Sequence, residues 1–267
     1  MSDIKLPVEV EKELKKISKI AGYLWQREWA ERNAGNISMN LTSFFKKEDI
    51  IKKTKNQTFT PFDFPKGTGG YVLFITGTGC YLRSLIDDIE EAACILYINE
   101  EATGYTIIWG GKREAFGPTC ELISHSSIHL FNTENNPTHL AIVHTHPPEL
   151  IVMSHHPLFS DEEELNRQIW MMCPEVRVFV PKGIHCTPYA LSSTPALAKV
   201  TIEAFKNRNI SLWEKHGATT TGEDVEKAWD YLDVANKGAK LLLMSWAAGF
   251  KPAGLSNEQL KELEQFT

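Results

Sequence analysis

The run Ala141-Ile142-Val143-His144-Thr145-His146-Pro147-Pro148 constrains this chain more than any other segment. It reads as an apolar strand whose end carries two histidines at alternate positions, closed by prolines. Residues i and i+2 of a strand point to the same side, so His144 and His146 can converge on one point. A third histidine, His216, stands in Trp213-Glu214-Lys215-His216-Gly217. Three neutral imidazoles around one divalent ion, with a position left open, is the coordination pattern of a catalytic rather than a structural zinc. An HxH pair alone is also compatible with solvated histidines, and His125, His129, His139, His155, His156 and His185 show that the residue type is not rare here. The third histidine, together with the acid-bearing Pro118-Thr119-Cys120-Glu121-Leu122 upstream, turns the pair into a constellation.

With 267 residues the chain can bury a substantial core. Its net charge of −6 offers no global basic surface for nucleic acid, so an anionic substrate needs a local pocket of donors. The five cysteines are scattered, with no CxxC and an odd total, which argues for reduced thiols rather than a disulfide framework. Met1-Ser2-Asp3-Ile4-Lys5 lacks an apolar signal region, and no apolar run is long enough to cross a bilayer. The expectation is a soluble cytoplasmic protein with neither a nucleic-acid nor a membrane partner.

Val8 to Trp29 keeps helical apolar spacing at Val10, Leu14, Ile17, Ala21, Leu24 and Trp25. Arg32-Asn33-Ala34-Gly35-Asn36 breaks it, and Ile37 to Leu41 reads as a short alternating strand. Ser43 to Gly70 is a polar, lysine-rich surface excursion. Strands are expected at Tyr71–Ile75, Cys94–Ile98, Tyr105–Trp109, Leu140–His144, Val176–Val180 and Ile210–Trp213. Helices are expected from Thr119 or Cys120 to Phe131, at Asp161–Trp170, Pro195–Lys206 and Glu223–Ala248, with a capping box at Ser256–Gln259. Strands and helices intermix throughout with no internal repeat. The reading is one α/β domain over residues 1–267, layered α/β/α.

Arg32-Asn33-Ala34-Gly35-Asn36, Thr76-Gly77-Thr78-Gly79, Pro118-Thr119-Cys120-Glu121, His144-Thr145-His146-Pro147 and His216-Gly217 follow one another in this order. In this the chain resembles the class II aldolase and adducin head family, from about Gly22 to about Phe250. The resemblance implies a central, predominantly antiparallel sheet and one zinc ion (Zn2+) per subunit on His144, His146 and His216. It implies that Glu121 carries the proton at the carbon that becomes the enediolate. Glutamate rather than aspartate at this position favours an aldolase over the family's sugar-phosphate epimerases. It further implies that Glu175 reaches a neighbouring subunit's site and handles the proton on the aldehyde oxygen, within a homotetramer. A phosphate pocket would draw on Asn33, Gly35, Asn36, Thr78, Gly79 and Thr119, whose amides, hydroxyls and backbone N–H groups can cradle an anion.

The reaction expected from the resemblance is reversible cleavage of L-rhamnulose 1-phosphate to dihydroxyacetone phosphate and L-lactaldehyde. Another sugar-phosphate lyase or 4-epimerase of the same family, of the fuculose- or ribulose-phosphate type, stands as the alternative. Cys120 departs from the family's pattern, where a serine is expected, and a thiol is a poor donor beside a hydroxyl. Two readings outside these enzymes are a non-catalytic interaction module like the adducin head and an unrelated zinc hydrolase. The module has no use for three histidines and Glu121, and the hydrolase has little need for the asparagine and glycine segments.

Overall fold

Runs rich in β-branched, leucine and aromatic residues assemble into one nine-stranded sheet, and amphipathic segments cover both of its faces. The computed structural model describes residues 5–55 and 57–267. Met1–Ile4, read above as lacking a signal region, lie outside the described residues, as does Asn56 within the Ser43–Gly70 excursion. The strands are β1 (Asn36–Asn40), β2 (Phe59–Pro61), β3 (Val72–Thr76), β4 (Ala93–Ile98) and β5 (Gly104–Gly110). They continue with β6 (Ala141–Thr145), β7 (Ile184–Thr187), β8 (Ile210–Trp213) and β9 (Gly217–Gly222). The helices are α1 (Val8–Gln26), α2 (Lys47–Thr54), α3 (Ser84–Asp87), α4 (Ile89–Ala92), α5 (Leu122–Asn135) and α6 (Pro148–Met153). After them come α7 (Glu162–Trp170), α8 (Pro174–Phe179), α9 (Pro195–Phe205), α10 (Val225–Ala247) and α11 (Asn257–Glu262).

The strand order is β2-β5-β4-β3-β1-β6-β9-β8-β7, and every neighbouring pair is antiparallel except β7 with β8. One face of the sheet packs under α1 and α10, where Ile17, Leu24, Leu232 and Ala239 join Phe74 and Val143 in the main core. On the other face Ile142 meets Ile128 of α5 and Phe205 of α9. This is the expected α/β/α layering with a predominantly antiparallel sheet. Because β6 alternates, Val143 points to the α1–α10 side while Ile142 and His144 point to the α5 side. That phase places His144 below the N-terminus of α5.

Three expectations need correction. β1 does not alternate between inside and outside, because all five of its residues are buried between helix layers. Val176–Val180 is not a strand. Pro174 at the first helical position, after an extended Cys173, opens the short helix α8 instead. Position in the fold overrides the β-branched composition of that segment. The Ser43–Gly70 excursion contains α2 and β2, with β2 pairing to β5. Strands β7 and β9 were not anticipated. Among the described residues no helix is long and apolar enough to cross a membrane.

Candidate active site

β6 lies between β1 and β9, and the register sets Asn36 and Thr219 on either side of His144. His146 follows one residue beyond the strand. His216 sits in the tight turn from β8 to β9, where Lys215 adopts φ 58° and its backbone N–H donates to Ser154 Oγ at 2.8 Å. The next residue must be small. A Cβ on Gly217 would stand 2.6 Å from the Thr145 carbonyl oxygen, 2.8 Å from His146 Cδ2 and 3.2 Å from His144 Cε1. With glycine there the three rings close on one another, and one ligand atom from each lies within 4.8 Å of the others.

Each ring is oriented through its Nδ1. His144 Nδ1 lies 3.1 Å from both the Ala218 carbonyl oxygen and Thr219 Oγ1. His146 Nδ1 lies 2.8 Å from Glu31 Oε1, and His216 Nδ1 3.3 Å from Ser192 Oγ. These partners leave Nε2 of each ring for an ion, and outer contacts of this kind fix tautomer and ring angle at metal sites. Trp213 stacks on His144 with ring centroids 4.4 Å apart. Burial above all, then the neighbouring His146 and His216, holds His144 well below the ordinary histidine range. Burial, followed by His146, brings His216 to about 4. A divalent ion requires unprotonated ring nitrogens, and three imidazoles that each bring one to a common point fit it.

Glu121 stands at the N-cap position of α5 and is 4% exposed. Its Oε2 accepts from Asn36 Nδ2 at 2.9 Å and lies 4.0 Å from His144 Nε2. Burial pushes its carboxyl above the usual carboxylate range, outweighing the opposing effects of Asn36 and His146. A carboxyl in this state, beside an ion site, is suited to carrying a proton.

The residues expected around a phosphate divide into two sets. Thr78 and Gly79 are exposed in the turn after β3, which is stapled to the segment before α5. Thr78 N–H donates to the Gly117 carbonyl at 2.8 Å, and Thr119 N–H to that of Thr76 at 2.9 Å. Thr78, Gly79 and Thr119 are thereby brought together, with Thr119 buried. Asn33 is exposed in the loop before β1. Gly35 takes φ 78°, and a Cβ there would come within 2.9 Å of the His144 carbonyl oxygen, so the loop can cross the end of β6. Asn36, in contrast, is buried with both ends of its amide engaged, on Glu121 and on His125.

The contacts of Glu175, with Cys173 and Lys237, lie outside this cluster. Glu175 is exposed in the first turn of α8, and its carboxyl is held below the usual range by its own backbone N–H and by Cys173. Two contributors escaped the sequence reading. Glu31, which orients His146, lies in a segment with no periodicity to mark it. Arg113 donates to the Gly79 carbonyl at 3.2 Å and brings a cation to the Thr78–Gly79 turn. Its position between two glycine-bearing segments, Gly110-Gly111 and Gly117-Pro118, was the available signal.

Comparison with known proteins agrees with this architecture. Residues 15–243 match the class II aldolase and adducin N-terminal domain family. The chain is 38% identical over 259 residues to a rhamnulose-1-phosphate aldolase of Bacteroides thetaiotaomicron, covering 94% of this chain and 93% of that protein. It is 30% identical over 248 residues to a rhamnulose-1-phosphate aldolase of Enterococcus faecalis, covering 91% and 86%. Among solved structures, a sugar-phosphate aldolase from Thermotoga maritima aligns with a TM-score of 0.78 at 30% identity, over 92% of this chain and 100% of that one. A family match across most of the chain, on a sheet that gathers three histidines beside a buried glutamate, means that the protein belongs to the class II aldolase and adducin N-terminal domain family and is one of its metal-dependent lyases.

Proposed function

We propose that this enzyme reversibly cleaves L-rhamnulose 1-phosphate into dihydroxyacetone phosphate and L-lactaldehyde, with one zinc ion per subunit on His144, His146 and His216. The observation that carries the reading is the 38% identity, over 94% of the chain, to an aldolase named for that sugar. Zinc bound to three imidazoles supplies Lewis-acid charge where the reacting ketose develops negative oxygen.

The chain's own residues then have two protons to move. The C4 hydroxyl must lose its proton while the C3–C4 bond breaks. The hydroxyl oxygen becomes the aldehyde carbonyl, and the bonding pair passes to C3 and the C2 carbonyl as an enediolate. Glu121 returns a proton to C3, completing dihydroxyacetone phosphate, and removes it in the synthetic direction. Its burial and raised carboxyl range support that role. Glu175 is read as taking the C4 hydroxyl proton in a neighbouring subunit's site. Its exposure on α8 is compatible with such a reach, and the active assembly is read as a homotetramer. Asn33, Gly35, Asn36, Thr78, Gly79 and Thr119 are read as the phosphate side. The single continuous sheet supports one domain over residues 1–267, and five free cysteines support a cytoplasmic setting.

A second reading, cleavage or 4-epimerisation of a related phosphosugar of the fuculose or ribulose type, is favoured by Cys120. Its exposed thiol stands beside Glu121 where a hydroxyl would bind phosphate better. The test is release of dihydroxyacetone phosphate from L-rhamnulose 1-phosphate, coupled to NADH oxidation by glycerol-phosphate dehydrogenase. It is run in parallel with L-fuculose 1-phosphate, before and after chelation and zinc add-back. Release that chelation abolishes and zinc restores is expected. Preference for the other sugar from a folded, zinc-loaded protein would reject the substrate. A Glu175→Ala variant that keeps full activity would reject the shared site.

A further inference from the structure

Behind Glu121 and Asn36 lie three buried polar side chains, Ser38, His125 and His129, that neither ion binding nor phosphate binding uses. Asn36 and Ser38 stand two apart on β1 and face α5, which presents His125 and His129 one turn apart. Two strand residues advance about 6.7 Å and four helical residues about 6 Å, so two pairs can meet across the layers. They do: Ser38 Oγ lies 2.6 Å from His125 Nδ1 and 2.8 Å from His129 Nε2, and His125 Nε2 meets Asn36 Oδ1. Ser38, His125 and His129 are each 2% exposed or less.

The chemistry of these groups allows one direction of donation. Asn36 Nδ2 donates to the Glu121 carboxylate, so its Oδ1 faces His125 and can only accept. His125 Nε2 therefore carries a proton and donates. A neutral His125 then has a bare Nδ1, which accepts from the Ser38 hydroxyl. With its one hydrogen committed, Ser38 Oγ accepts from a protonated His129 Nε2. His129 Nδ1 is left as a bare lone pair, and it is buried without a partner. That orphan is where the line ends. Burial brings both imidazoles to about 3, in keeping with two neutral rings.

We propose that His125, Ser38 and His129 are positioning residues for the Glu121 carboxylate, acting through Asn36 along a one-way file of four hydrogen bonds, from His129 to Ser38 to His125 to Asn36 to Glu121. The proposal rests on the reading of Glu121 as the proton carrier at C3. A buried carboxylate at the N-cap of a helix has rotamers to choose from, and the file selects the one in which Oε2 faces His144. Interior hydrogen bonds that polarise one another hold such a geometry better than a lone amide does.

Two measurements test it. Histidine-selective 15N NMR of the zinc-loaded enzyme is expected to report both His125 and His129 as neutral Nε2–H tautomers, assigned by loss of signal in His125→Phe and His129→Phe. An Nδ1–H tautomer at His125 would overturn the file whatever Glu121 does. The second measurement is deuterium incorporation at C3 of dihydroxyacetone phosphate in D2O without aldehyde, which isolates the Glu121 step. His125→Phe and Ser38→Ala are each expected to slow exchange roughly 10- to 100-fold, the range for displacing an active-site group through its supporting shell. Zinc content and the affinity for dihydroxyacetone phosphate should hold within about two-fold of wild type, on the view that Ser38 and His125 touch neither ion nor anion. Ser38→Ala, which deletes one atom, serves if His125→Phe does not fold. Glu121→Gln distinguishes the two failures. If Glu121→Gln is inactive in exchange while folded His125→Phe and Ser38→Ala exchange at the wild-type rate, the positioning role is wrong. If Glu121→Gln itself exchanges normally, the proton-carrier reading falls and the proposal with it.

Discussion

His144 and Glu121 sit between the sheet and α5, with His146 and His216 at the sheet's end, and Nδ1 of each of these rings and the Glu121 carboxylate meet a partner from this same chain. The region of Asn33, Thr78, Gly79 and Cys120 lies at the surface, and the Asn33 amide and Thr78 hydroxyl make no side-chain hydrogen bond among the described residues. The two regions answer different demands. Holding an ion and moving a proton require neutral rings and a carboxyl fixed in a dry setting, because electrostatic work done by preset groups needs no reorganisation. An anion pocket has to be satisfied only when the anion arrives. Donors left facing water until then carry no desolvation penalty.

The sharpest way to break this comparison is to remove one ring from the closed region. His144→Ala is expected to abolish stoichiometric zinc and metal-dependent turnover together, measured by elemental analysis and by the coupled release assay. Turnover that persists and still responds to chelator would move the ion elsewhere. Next in size is a matched pair of glycine changes. Gly217→Ala places a Cβ against Thr145 and His146, whereas a Cβ on Gly79 finds only Arg113 at 3.9 Å, with φ 64°. Gly217→Ala should weaken zinc binding roughly 10- to 100-fold. Gly79→Ala should keep its zinc and lose about 1–2 kcal/mol of stability for a left-handed alanine. Equal zinc loss in both variants would erase the distinction.

The closed region was partly legible in the sequence because its ligands obey local rules. His144 and His146 share a strand face, and Gly217 follows His216. The partner of Glu121 was not legible, since Asn36 is 85 residues away and no periodicity links β1 to α5. Asn36 is grouped with phosphate by its sequence neighbours Asn33 and Gly35, and the contact of its amide with Glu121 is visible only in the fold. β9 escaped for a related reason. Gly217-Ala218-Thr219-Thr220-Thr221-Gly222 lacks the apolar run that marked β3 and β4, yet it is wholly buried. Its threonines are accommodated by contacts such as Asn132 Nδ2 to Thr221 Oγ1 at 2.7 Å. Val176–Val180 failed in the opposite sense, an apolar β-branched run that Pro174 starts as helix. The open region was legible as glycine turns, but its stapling through Gly117 and Thr76 depends on chain segments about forty residues apart.

A smaller effect separates the two regions by pH. Burial brings His125 and His129 to about 3, below the ordinary value of 6.5. Between those values the unfolded chain binds protons that the folded chain does not, so stability rises with pH there. The contribution is complete above about 6.5 and is lost progressively as pH falls toward 3. The urea midpoint is expected to drop between pH 7 and pH 5, and His129→Phe should flatten that slope. A slope unchanged in the variant would show that His129 is not the group responsible.

The smallest expected effect belongs to the open region. Cys120 is an exposed free thiol between buried Thr119 and buried Glu121, so replacing it disturbs no core packing. Cys120→Ser should leave stability within about 0.5 kcal/mol, as for surface substitutions elsewhere. Its hydroxyl donates where the thiol donates poorly, and one net hydrogen bond contributes about 0.5–1.5 kcal/mol. If Cys120 borders the phosphate, the variant should lower KM for the phosphosugar by roughly two- to ten-fold with kcat little changed, because ground state and transition state share that phosphate contact. A change in kcat without KM would mean that position 120 acts on Glu121 next to it rather than on the anion. In that event the boundary between the preset and the open region lies one residue further from Glu121 than its burial indicates.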